Sequence, residues 1–221
     1  MTSQKRRLSV AQRQAWAETY AKTPFRDLPW FSPTPYPWVK EVAEAGWWRN
    51  GSRLLDIGCG AGTNALYLSR LGYRVDGVDV APGAVEAARG RAQREKSSAR
   101  FHQGDALDLP FPRGRFGGAI DVGCFHTLPR SARRHYSREL ARVLRPRARL
   151  AIACVAREHT AAFGPPHRLS VEEIVSALEP EFQVRRVGLG SGWTPGRTRN
   201  LGLTAYLSLF ERRSKPQPPP R

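Results

Sequence analysis

The sequence predicts an α/β fold with a doubly wound, mostly parallel sheet of seven strands and helices on both faces. Apolar strand-like segments alternate with helix-like segments between residues 53 and 155, and two more strands are expected after them. The first strand runs directly into a glycine-rich turn that opens a helix. Strands that alternate with helices are joined by crossover connections, and this arrangement requires a parallel sheet that is buried on both faces.

The expected elements follow this alternation in order. Strands are predicted at residues 53–57, 74–79, 99–103, 116–121, 148–155, 182–187 and 203–210. Helices are predicted at residues 62–71, 83–96 and 133–144, and another begins at Ser170, where Glu172 and Glu173 suit the positive end of a helix dipole. A glycine-rich loop is expected at residues 188–200.

Three regions are expected along the 221 residues. Residues 1–48 would form an N-terminal arm and lid, with helices at 8–22 and 37–45 and a segment holding five prolines at 23–37. Proline lacks a backbone donor and favours an extended neighbour, so this segment is expected to be an ordered loop or arm. Residues 49–213 would form the main domain, and residues 214–221 are expected to be a disordered tail.

The composition fits a folded protein with a large positive charge. A hydrophobic content of 40% in a chain of this length is sufficient for a core without disulfide support. The net charge is +17, and the 36 basic residues comprise 5 lysines and 31 arginines, which fits either a nucleic-acid partner or a basic surface. No dense basic run with interleaved aromatic residues is present. A small molecule is therefore the expected partner, with nucleic acid as the alternative.

The cysteines and the apolar segments argue against several classes of protein. The three cysteines are an odd number and have no CxxC spacing, so neither a disulfide framework nor a zinc site is expected. The chain starts without an apolar segment of signal-peptide length, and no run of about 18 apolar residues follows. These features predict a cytoplasmic protein without a membrane or metal partner, either a monomer or a homodimer.

The segment LLDIGCGAGTNALYLSRLGYRVDGVDV concentrates the residues expected to bind a ligand. Its first strand ends near Asp56, with Gly58, Gly60 and Gly62 directly after it. Asp79 ends the second strand, 21 residues after Gly58. In a doubly wound sheet, this first strand–turn–helix unit is where a nucleotide-like ligand binds. Glycines let the backbone approach the ligand, and a carboxylate at the end of the second strand can accept hydrogen bonds from two ribose hydroxyls.

The glycine spacing distinguishes two kinds of ligand. A dinucleotide fingerprint requires G-x-G-x-x-G, and here Thr63 occupies the third glycine position. The observed G-x-G-x-G, with an acid two residues before it, suits a ligand without a pyrophosphate. The segment resembles motif I of the class I S-adenosylmethionine-dependent methyltransferases, which have a Rossmann-like fold. The resemblance implies S-adenosylmethionine as the cofactor, bound by the acids and glycines of this segment together with Cys59 and Val80.

Later segments resemble the same family. In FHQGDAL, the resemblance implies that Asp105 and Ala106 hold the adenine through a carboxylate and a backbone amide. FGGAIDVGCFHTLP resembles the fourth-strand motif, whose end faces the methyl donor and acceptor. RELARVLRPRARLAI resembles the helix, turn and strand that follow, with Arg147 and Ala148 in place of the usual glycine pair. This departure is expected to affect the turn more than the chemistry.

Asp121 and His126 are the candidate catalytic residues, because they lie at the end of the fourth strand and in the loop after it. An unperturbed imidazole has a pKa of about 6.5, so His126 could accept a proton, or it could pack or cap locally. Asp121 could instead orient the methionine end of the cofactor. Cys124 is not required as a nucleophile, because the methyl group can pass directly to the acceptor.

The acceptor is expected to be small. IDVGCFHTLP contains neither the (N/D)PP(Y/F) sequence of nucleobase amino-methylating enzymes nor the Pro-Cys pair of cytosine-C5 enzymes. The layout is similar to the small-molecule branch that includes the thiopurine and tellurite-resistance-type methyltransferases. Five residues are then implied as lid or substrate contacts: Trp30, Phe31, Trp38, Phe125 and His126.

Two of these assignments have an alternative. The aromatic residues of the arm could exclude water from the cationic methyl group, or they could only anchor the arm to the domain. Residues 163–167 could form another wall of the pocket or a plain turn.

The sequence therefore predicts an enzyme that transfers a methyl group by in-line displacement to a small acceptor, such as a thiol or another soft nucleophile. One alternative is an RNA methyltransferase with arginines gathered around the mouth of its pocket. Another is a protein that binds the cofactor without catalysing a reaction.

Overall fold

The computed structural model describes residues 7–159, 167–193 and 203–216, and within these ranges the chain forms six α-helices and seven strands. The helices are α1 (Val10–Lys22), α2 (Pro37–Glu44), α3 (Thr63–Arg70), α4 (Pro82–Arg94), α5 (Arg130–Val143) and α6 (Val171–Leu178). The strands are β1 (Arg53–Ile57), β2 (Arg74–Asp79), β3 (Arg100–Gln103), β4 (Phe116–Val122), β5 (Leu144–Val155), β6 (Phe182–Trp193) and β7 (Leu203–Arg212).

All seven strands belong to one sheet, in the order β3-β2-β1-β4-β5-β7-β6. The pairs from β3 through β5 are parallel, and β7 is antiparallel to both of its neighbours. The order reverses between β1 and β4, which places the carboxyl ends of β1, β2 and β4 side by side. The predicted fold class, a mostly parallel and doubly wound sheet of seven strands, is confirmed.

A separate hydrophobic core covers each face of the sheet. On β1, Leu54 points into a cluster with residues of α2, α3 and α4, whereas Leu55 and Ile57 point into a cluster with α5 and α6. This alternation follows from the period of two along a strand. The long apolar run of β1 is explained because both of its faces are buried.

Strand β5 and helix α5 begin earlier than the sequence predicts. Phe116 of β4 pairs with Leu144, but Gly118 pairs with Arg149, so residues 145–148 bulge out of the ladder. Arg147 in this bulge has a φ of 62°, a left-handed conformation that glycine adopts more readily. The departure from the usual glycine pair therefore affects this turn, as expected. Helix α5 begins directly after Pro129, whose fixed φ suits a helix start.

The N-terminal arm folds back over the carboxyl edge of the sheet. Ser9 caps α1 through a capping box with Gln12, and α1 packs against α4. The backbone N–H of Leu8 donates to Oδ2 of Asp105 at 2.7 Å. Farther along the arm, the hydroxyl of Thr63 donates to the carbonyl of Ser32 at 2.7 Å. The arm is thus tied to the main domain at two loops that follow strands.

Some expectations concern residues outside the described ranges. The predicted loop at 188–200 is wrong for residues 188–193, because β6 continues to Trp193 and stays paired with β7, whereas residues 194–200 lie outside the described ranges. Of the predicted pocket wall at 163–167, only His167 is described. The predicted tail at 214–221 is described as far as residue 216. Across the three described ranges, no helix is long and apolar enough to cross a membrane.

Two neighbouring glycines of β4 allow a direct test of the packing beneath the sheet. A Cβ atom on Gly118 would lie 2.3 Å from Cδ1 of the buried Trp48, whereas the nearest atom to a Cβ on Gly117 would be 3.5 Å away. We expect Gly118→Ala to lower the free energy of unfolding by about 1–3 kcal/mol, as overpacked cores do. Gly117→Ala is the matched control, and chemical denaturation should show it unchanged or slightly stabilised. Equal effects of the two variants would contradict this packing.

Candidate cofactor and acceptor site

A cavity of about 310 Å³ lies at the carboxyl ends of β1, β2 and β4, beneath the arm. This is the position where open α/β sheets bind their ligands. Its floor comes from the loops after the strands, and its roof comes from the arm. Described residues that form the floor include Gly58, Cys59, Gly60, Asp79, Val80, Ala106, Cys124, His126 and Val155, and those that form the roof include Leu8, Trp16, Tyr20, Leu28, Trp30, Phe31 and Tyr36.

The turn after β1 needs its glycines for two reasons. Gly58, Gly60 and Gly62 have φ values of 63°, 52° and 81°, which side-chain-bearing residues rarely adopt. A Cβ on Gly58 would also lie 2.6 Å from the Cβ of Cys124. Gly58 and Gly60 line the cavity, and their contact with a cofactor stays a prediction. Gly62 lies behind them at the start of α3, where a Cβ would meet the ring of Phe101 at 2.7 Å.

Asp79 lies at the end of β2 and lines the cavity beside Val80. Its Oδ2 accepts a hydrogen bond from the N–H of Gly60 at 2.9 Å, and its Oδ1 accepts one from the N–H of Ala81 at 3.0 Å. Burial raises the pKa of this carboxyl, and the backbone donors oppose that rise. Each oxygen retains a further lone pair for a ligand hydroxyl.

Asp56 does not reach the cavity. It is buried, and its Oδ2 accepts from the N–H of Ala65, in the first turn of α3, at 3.1 Å. Burial raises the pKa of Asp56 to about 8, because a single hydrogen bond compensates little of the lost hydration. This carboxyl therefore fixes the turn and the helix start that form the floor.

The predicted adenine contacts are divided between two environments. Ala106 lines the cavity, as does the neighbouring Gly104. Asp105 is buried, with Oδ1 accepting from Leu107 N–H at 2.9 Å and Oδ2 accepting from Leu8 N–H. The arm thus binds the same carboxylate that the family resemblance assigns to the adenine amino group.

Asp121 is fully buried at the end of β4 and holds the following loop from below. Its carboxylate accepts from the N–H of Cys124 at 2.8 Å, from the N–H of Phe125 at 3.1 Å and from the hydroxyl of Tyr136. Burial raises the pKa of Asp121 to about 6 against the effect of these three donors. With this side chain directed into the core, Asp121 positions the loop that carries Cys124 and His126.

His126 lines the cavity from a short 3-10 turn and is almost completely buried. Its Nδ1 accepts a hydrogen bond from the backbone N–H of Val155 at 3.1 Å. Burial lowers the pKa of His126 to about 3, and the nearby Arg133 and His167 lower it further. The imidazole is therefore neutral at physiological pH.

Two predicted substrate contacts lie elsewhere. Phe125 is fully buried and packs against Tyr136, with ring centres 5.2 Å apart, because the turn directs it into the α5 side of the core. Trp38 lies on α2 and packs against the opposite core. Tyr36, two residues before Trp38, lines the cavity instead.

Trp30 and Phe31 line the cavity. Two aromatic residues of α1 that the sequence did not predict as lid residues, Trp16 and Tyr20, line it as well. The indole N–H of Trp30 donates to the hydroxyl of Tyr20 at 3.2 Å, and the Trp16 and Trp30 rings meet edge to face at 5.6 Å. Tyr20 lies over the glycine turn, since a Cβ on Gly60 would be 3.1 Å from its hydroxyl. The signal for this pair was their spacing of four residues, which places both on one face of α1.

The cysteines beside the cavity are not activated. Burial raises the thiol pKa of both Cys59 and Cys124 well above its ordinary value. Both are free cysteines, and thiols in such surroundings are poor nucleophiles. No group of three or more metal-ligating side chains occurs within the described ranges.

The buried Asp56 gives the free energy of unfolding a specific pH dependence. Its pKa lies near 8 in the folded chain and near its ordinary value of 3.8 in the unfolded chain, so the folded chain binds more protons between these values. The Asp56 contribution to stability is therefore lost as pH rises through this window, by up to about 1.4 kcal/mol per pH unit.

We expect Asp56→Asn to flatten this dependence, because the amide oxygen still accepts from Ala65 N–H while no charge is buried. Denaturation at pH 5, 6.5 and 8 measures the free energy of unfolding of both proteins. The value for the variant relative to the native chain should increase by at least about 1 kcal/mol as pH rises. Glu86→Gln on the exposed face of α4 removes the same charge and is the control. Parallel curves for the native chain and Asp56→Asn would contradict the assignment.

Several known proteins are similar to this chain. Residues 54–147 match a family described as a methyltransferase domain. The chain is 32% identical over 151 residues to the 2-heptyl-1-hydroxyquinolin-4(1H)-one methyltransferase of Mycobacteroides abscessus, covering 66% of this chain and 64% of that protein. It is 38% identical over 107 residues to the 27-O-demethylrifamycin SV methyltransferase of Amycolatopsis mediterranei, covering 47% and 39%. The matches thus span less than two thirds of either relative.

Solved structures extend the likeness to most of the chain. A protein from work on the conversion of a disulfide bond into a thioacetal group during echinomycin biosynthesis superposes with a TM-score of 0.81 and 27% identity, over 91% of this chain and 93% of that one. A SAM-dependent methyltransferase from Methanosarcina mazei shares the fold, with a TM-score of 0.69, 20% identity and coverage of 81% and 99%. The glycine turn, the acid at the end of β2 and these matches together support a methyltransferase domain of the class I S-adenosylmethionine-dependent type around residues 54–147.

Proposed function

We propose that the protein transfers a methyl group from S-adenosylmethionine to a small, largely apolar molecule through a thiol or another soft nucleophilic atom. One observation carries the proposal: a single cavity extends from the glycine turn and Asp79 to His126 and Val155, under a roof of aromatic side chains. Because β2 and β5 are three strand spacings apart in the sheet, the two ends of the cavity are separated by about 14 Å. This distance suits a cofactor at one end and an acceptor at the other.

The residues at the Asp79 end fit the cofactor. Gly58 and Gly60 present bare backbone to the cavity, and Asp79 offers carboxylate oxygens to ribose hydroxyls. Asn64 lines the same end, and its buried Oδ1 has no hydrogen-bond partner among the described residues, so it can accept from an ammonium group. Ala106 and Val80 would pack against the adenine. When bound, the cofactor supplies an activated methyl group on a cationic sulfur.

The chain itself would supply orientation and a dry environment. The roof residues Trp16, Tyr20, Trp30 and Phe31 exclude water and present aromatic faces to a cation. Alignment of two reactants can contribute about 7–11 kcal/mol to lowering the barrier. In this proposal, residues 1–48 act as the lid of the catalytic domain at residues 49–213.

Two relatives support a small acceptor, since their names describe the methylation of a hydroxyquinolone and of a demethylrifamycin. A sulfur acceptor is supported by the structural likeness to the protein studied in thioacetal formation. An oxygen acceptor is the competing outcome that the hydroxyquinolone relative favours. The particular likeness to the thiopurine and tellurite-resistance branch stays a prediction.

The surplus positive charge does not converge on the cavity. No lysine or arginine is among the described residues that line it. Many arginines of the described chain are engaged in ion pairs or bind carbonyl groups at the surface. An RNA acceptor is therefore an outcome to be tested and not the leading proposal.

The ribose assignment predicts a specific loss of cofactor affinity. We expect Asp79→Asn to weaken the binding of S-adenosylmethionine by tenfold or more, because the amide retains a single acceptor oxygen and loses its charge. Isothermal titration calorimetry measures this, with Glu86→Gln as the control for net charge. If Asp79→Asn binds the cofactor as tightly as the native chain, the ribose assignment is wrong.

The acceptor class can be determined by following labelled methyl groups. Native protein with methyl-labelled S-adenosylmethionine should label at least one member of a panel of aromatic thiols, phenols and N-hydroxyquinolones, and Asp79→Asn should label them at least tenfold more slowly. Total RNA in the same panel, at low and physiological salt, tests the alternative. Labelling of RNA alone at physiological salt would refute a small acceptor, and binding of cofactor without labelling of any acceptor would favour a non-catalytic protein.

A further inference from the structure

We propose that the acceptor binds as an anion, that the Nε2–H group of His126 donates a hydrogen bond to it, and that no side chain of this protein removes its proton. The inference deepens the proposed function and rests on it. It names the acceptor class as a group that ionises by itself near neutral pH, such as a thiol or an acidic hydroxyl. Simple alcohols are excluded from this class.

The hydrogen bond at Nδ1 fixes the tautomer of His126. Its Nδ1 accepts from the N–H of Val155, so this nitrogen carries a lone pair and no proton. A neutral imidazole then carries its one proton on Nε2. Within the described ranges Nε2 has no hydrogen-bond partner, while the residue forms part of the cavity wall. His126 thus offers a donor to the cavity, and its basic nitrogen is already occupied by the backbone.

The electrostatic environment of His126 includes a buried cation. The positive charge of Arg133 on α5 acts on His126. Arg133 is 4% exposed, and its Nε donates to the carbonyl of Leu128 at 3.2 Å. Its guanidinium is 3.6 Å from Glu173 on α6, and the same carboxylate pairs with Arg157 at 2.6 Å. Arg157 also acts on the neighbouring Glu172, so Arg133 is the cation whose charge reaches His126. This charge favours an anion beside His126.

The same surroundings keep His126 from acting as a base. Burial together with Arg133 and His167 holds its pKa at about 3, so the protonated form is not accessible at neutral pH. His126 is thus a hydrogen-bond donor and not a base, because the backbone of Val155 occupies Nδ1 and because burial and the nearby cations disfavour a second proton.

Few carboxylates and imidazoles of the described residues reach the cavity. Residues 1–6, 160–166, 194–202 and 217–221 contain no Asp, Glu or His in the sequence, so every such residue lies in the described ranges. Of these described residues, only Asp79 and His126 line the cavity. Asp79 already accepts from the backbone at the cofactor end, and its strand β2 is three strand spacings from β5, which carries Val155.

The methyl transfer to an anionic acceptor then needs no protein base. The acceptor loses its proton to water before it enters the cavity. A lone pair on the acceptor atom forms the new bond to carbon, and the carbon–sulfur bond breaks with its electron pair on sulfur. The negative charge of the acceptor and the positive charge of the sulfonium cancel, so no proton moves during the step.

Two substitutions separate a donor from a base. In His126→Gln, the amide can place an N–H where Nε2–H lies, and in His126→Asn, the amide oxygen can replace Nδ1 as the acceptor for Val155 while the donor is lost. Neither amide can act as a base. We expect Gln to retain kcat/KM within about fivefold and Asn to lose at least tenfold, while both bind S-adenosylmethionine as the native chain does in calorimetry. An equal loss of about a hundredfold in both variants would overturn the proposal.

A binding measurement distinguishes this inference from the proposed function. The probe is 4-nitrophenol, whose anion is coloured. It is bound to the protein in the presence of S-adenosylhomocysteine, which has no methyl group to transfer. The absorbance of the bound probe is then measured as the pH is varied. The proposal predicts that the pKa of the bound probe falls by one unit or more in the native chain and in His126→Gln, and less in His126→Asn. A probe that binds with an unchanged or raised pKa would refute it. A lowered pKa without methylation of any acceptor would instead refute the proposed function alone.

The pH profile gives a third readout. For a series of thiophenols of graded acidity, the inflection in kcat/KM should move with the pKa of each free acceptor. An inflection at one fixed pH for all acceptors would reveal a protein base and would overturn the proposal.

Discussion

The site depends on buried carboxylates that bind the backbone of the loops after the strands. Parallel strands end at one edge of the sheet, and the loops that follow carry N–H groups without ladder partners. Asp56, Asp79 and Asp121, at or near the ends of three adjacent strands, accept from these groups. Each carboxylate fixes a loop in the conformation that forms the floor of the cavity. The floor is therefore built before any ligand binds.

Burial of these carboxylates lowers the stability of the chain, and the three have different roles. Burial raises the pKa of all three, because the charged form of each loses hydration, and Asp56, with a pKa of about 8, is largely protonated at neutral pH. Only Asp79 also reaches the cavity, and it is the one that can bind a ligand. Asp56 and Asp121 act through the loops they hold. A site that contains several acids in its sequence motifs thus presents a single carboxylate to its ligands.

The sequence predicted the fold and the proximity of Gly58, Gly60 and Asp79, because both depend on local patterns. The spacing of Gly58, Gly60 and Asp79 is read along the chain, and the structure brings these residues to one cavity. The direction of a side chain after β4 depends on tertiary packing, which explains why Phe125 faces the core while its neighbour His126 faces the cavity. The contact of Leu8 with Asp105 joins residues 97 apart and has no sequence signal at all.

The arm shows the same limit of local information. Its aromatic content predicted a lid, but the helix geometry of α1 and α2 decides which residues form the roof. Tyr20 and Tyr36 line the cavity, whereas Trp38 is directed into the core beside α2. Large aromatic residues stabilise whichever surface they bury, so residue type alone does not separate a lid from a core.

The contacts that hold the arm are made to the residues that form the floor of the cavity. Leu8 binds Asp105, the backbone of Ser32 binds Thr63 at the start of α3, and Tyr20 lies over Gly60. A cavity of about 310 Å³ is at the lower end of the range for one small ligand, so a cofactor and an acceptor together need more space than this position of the arm provides. In the proposed enzyme the arm would therefore move when both ligands bind, and the residues that the ligands would touch are the same residues that hold the arm here. An arm that takes up a new position around both ligands would still supply the aromatic roof that excludes water from the reacting atoms.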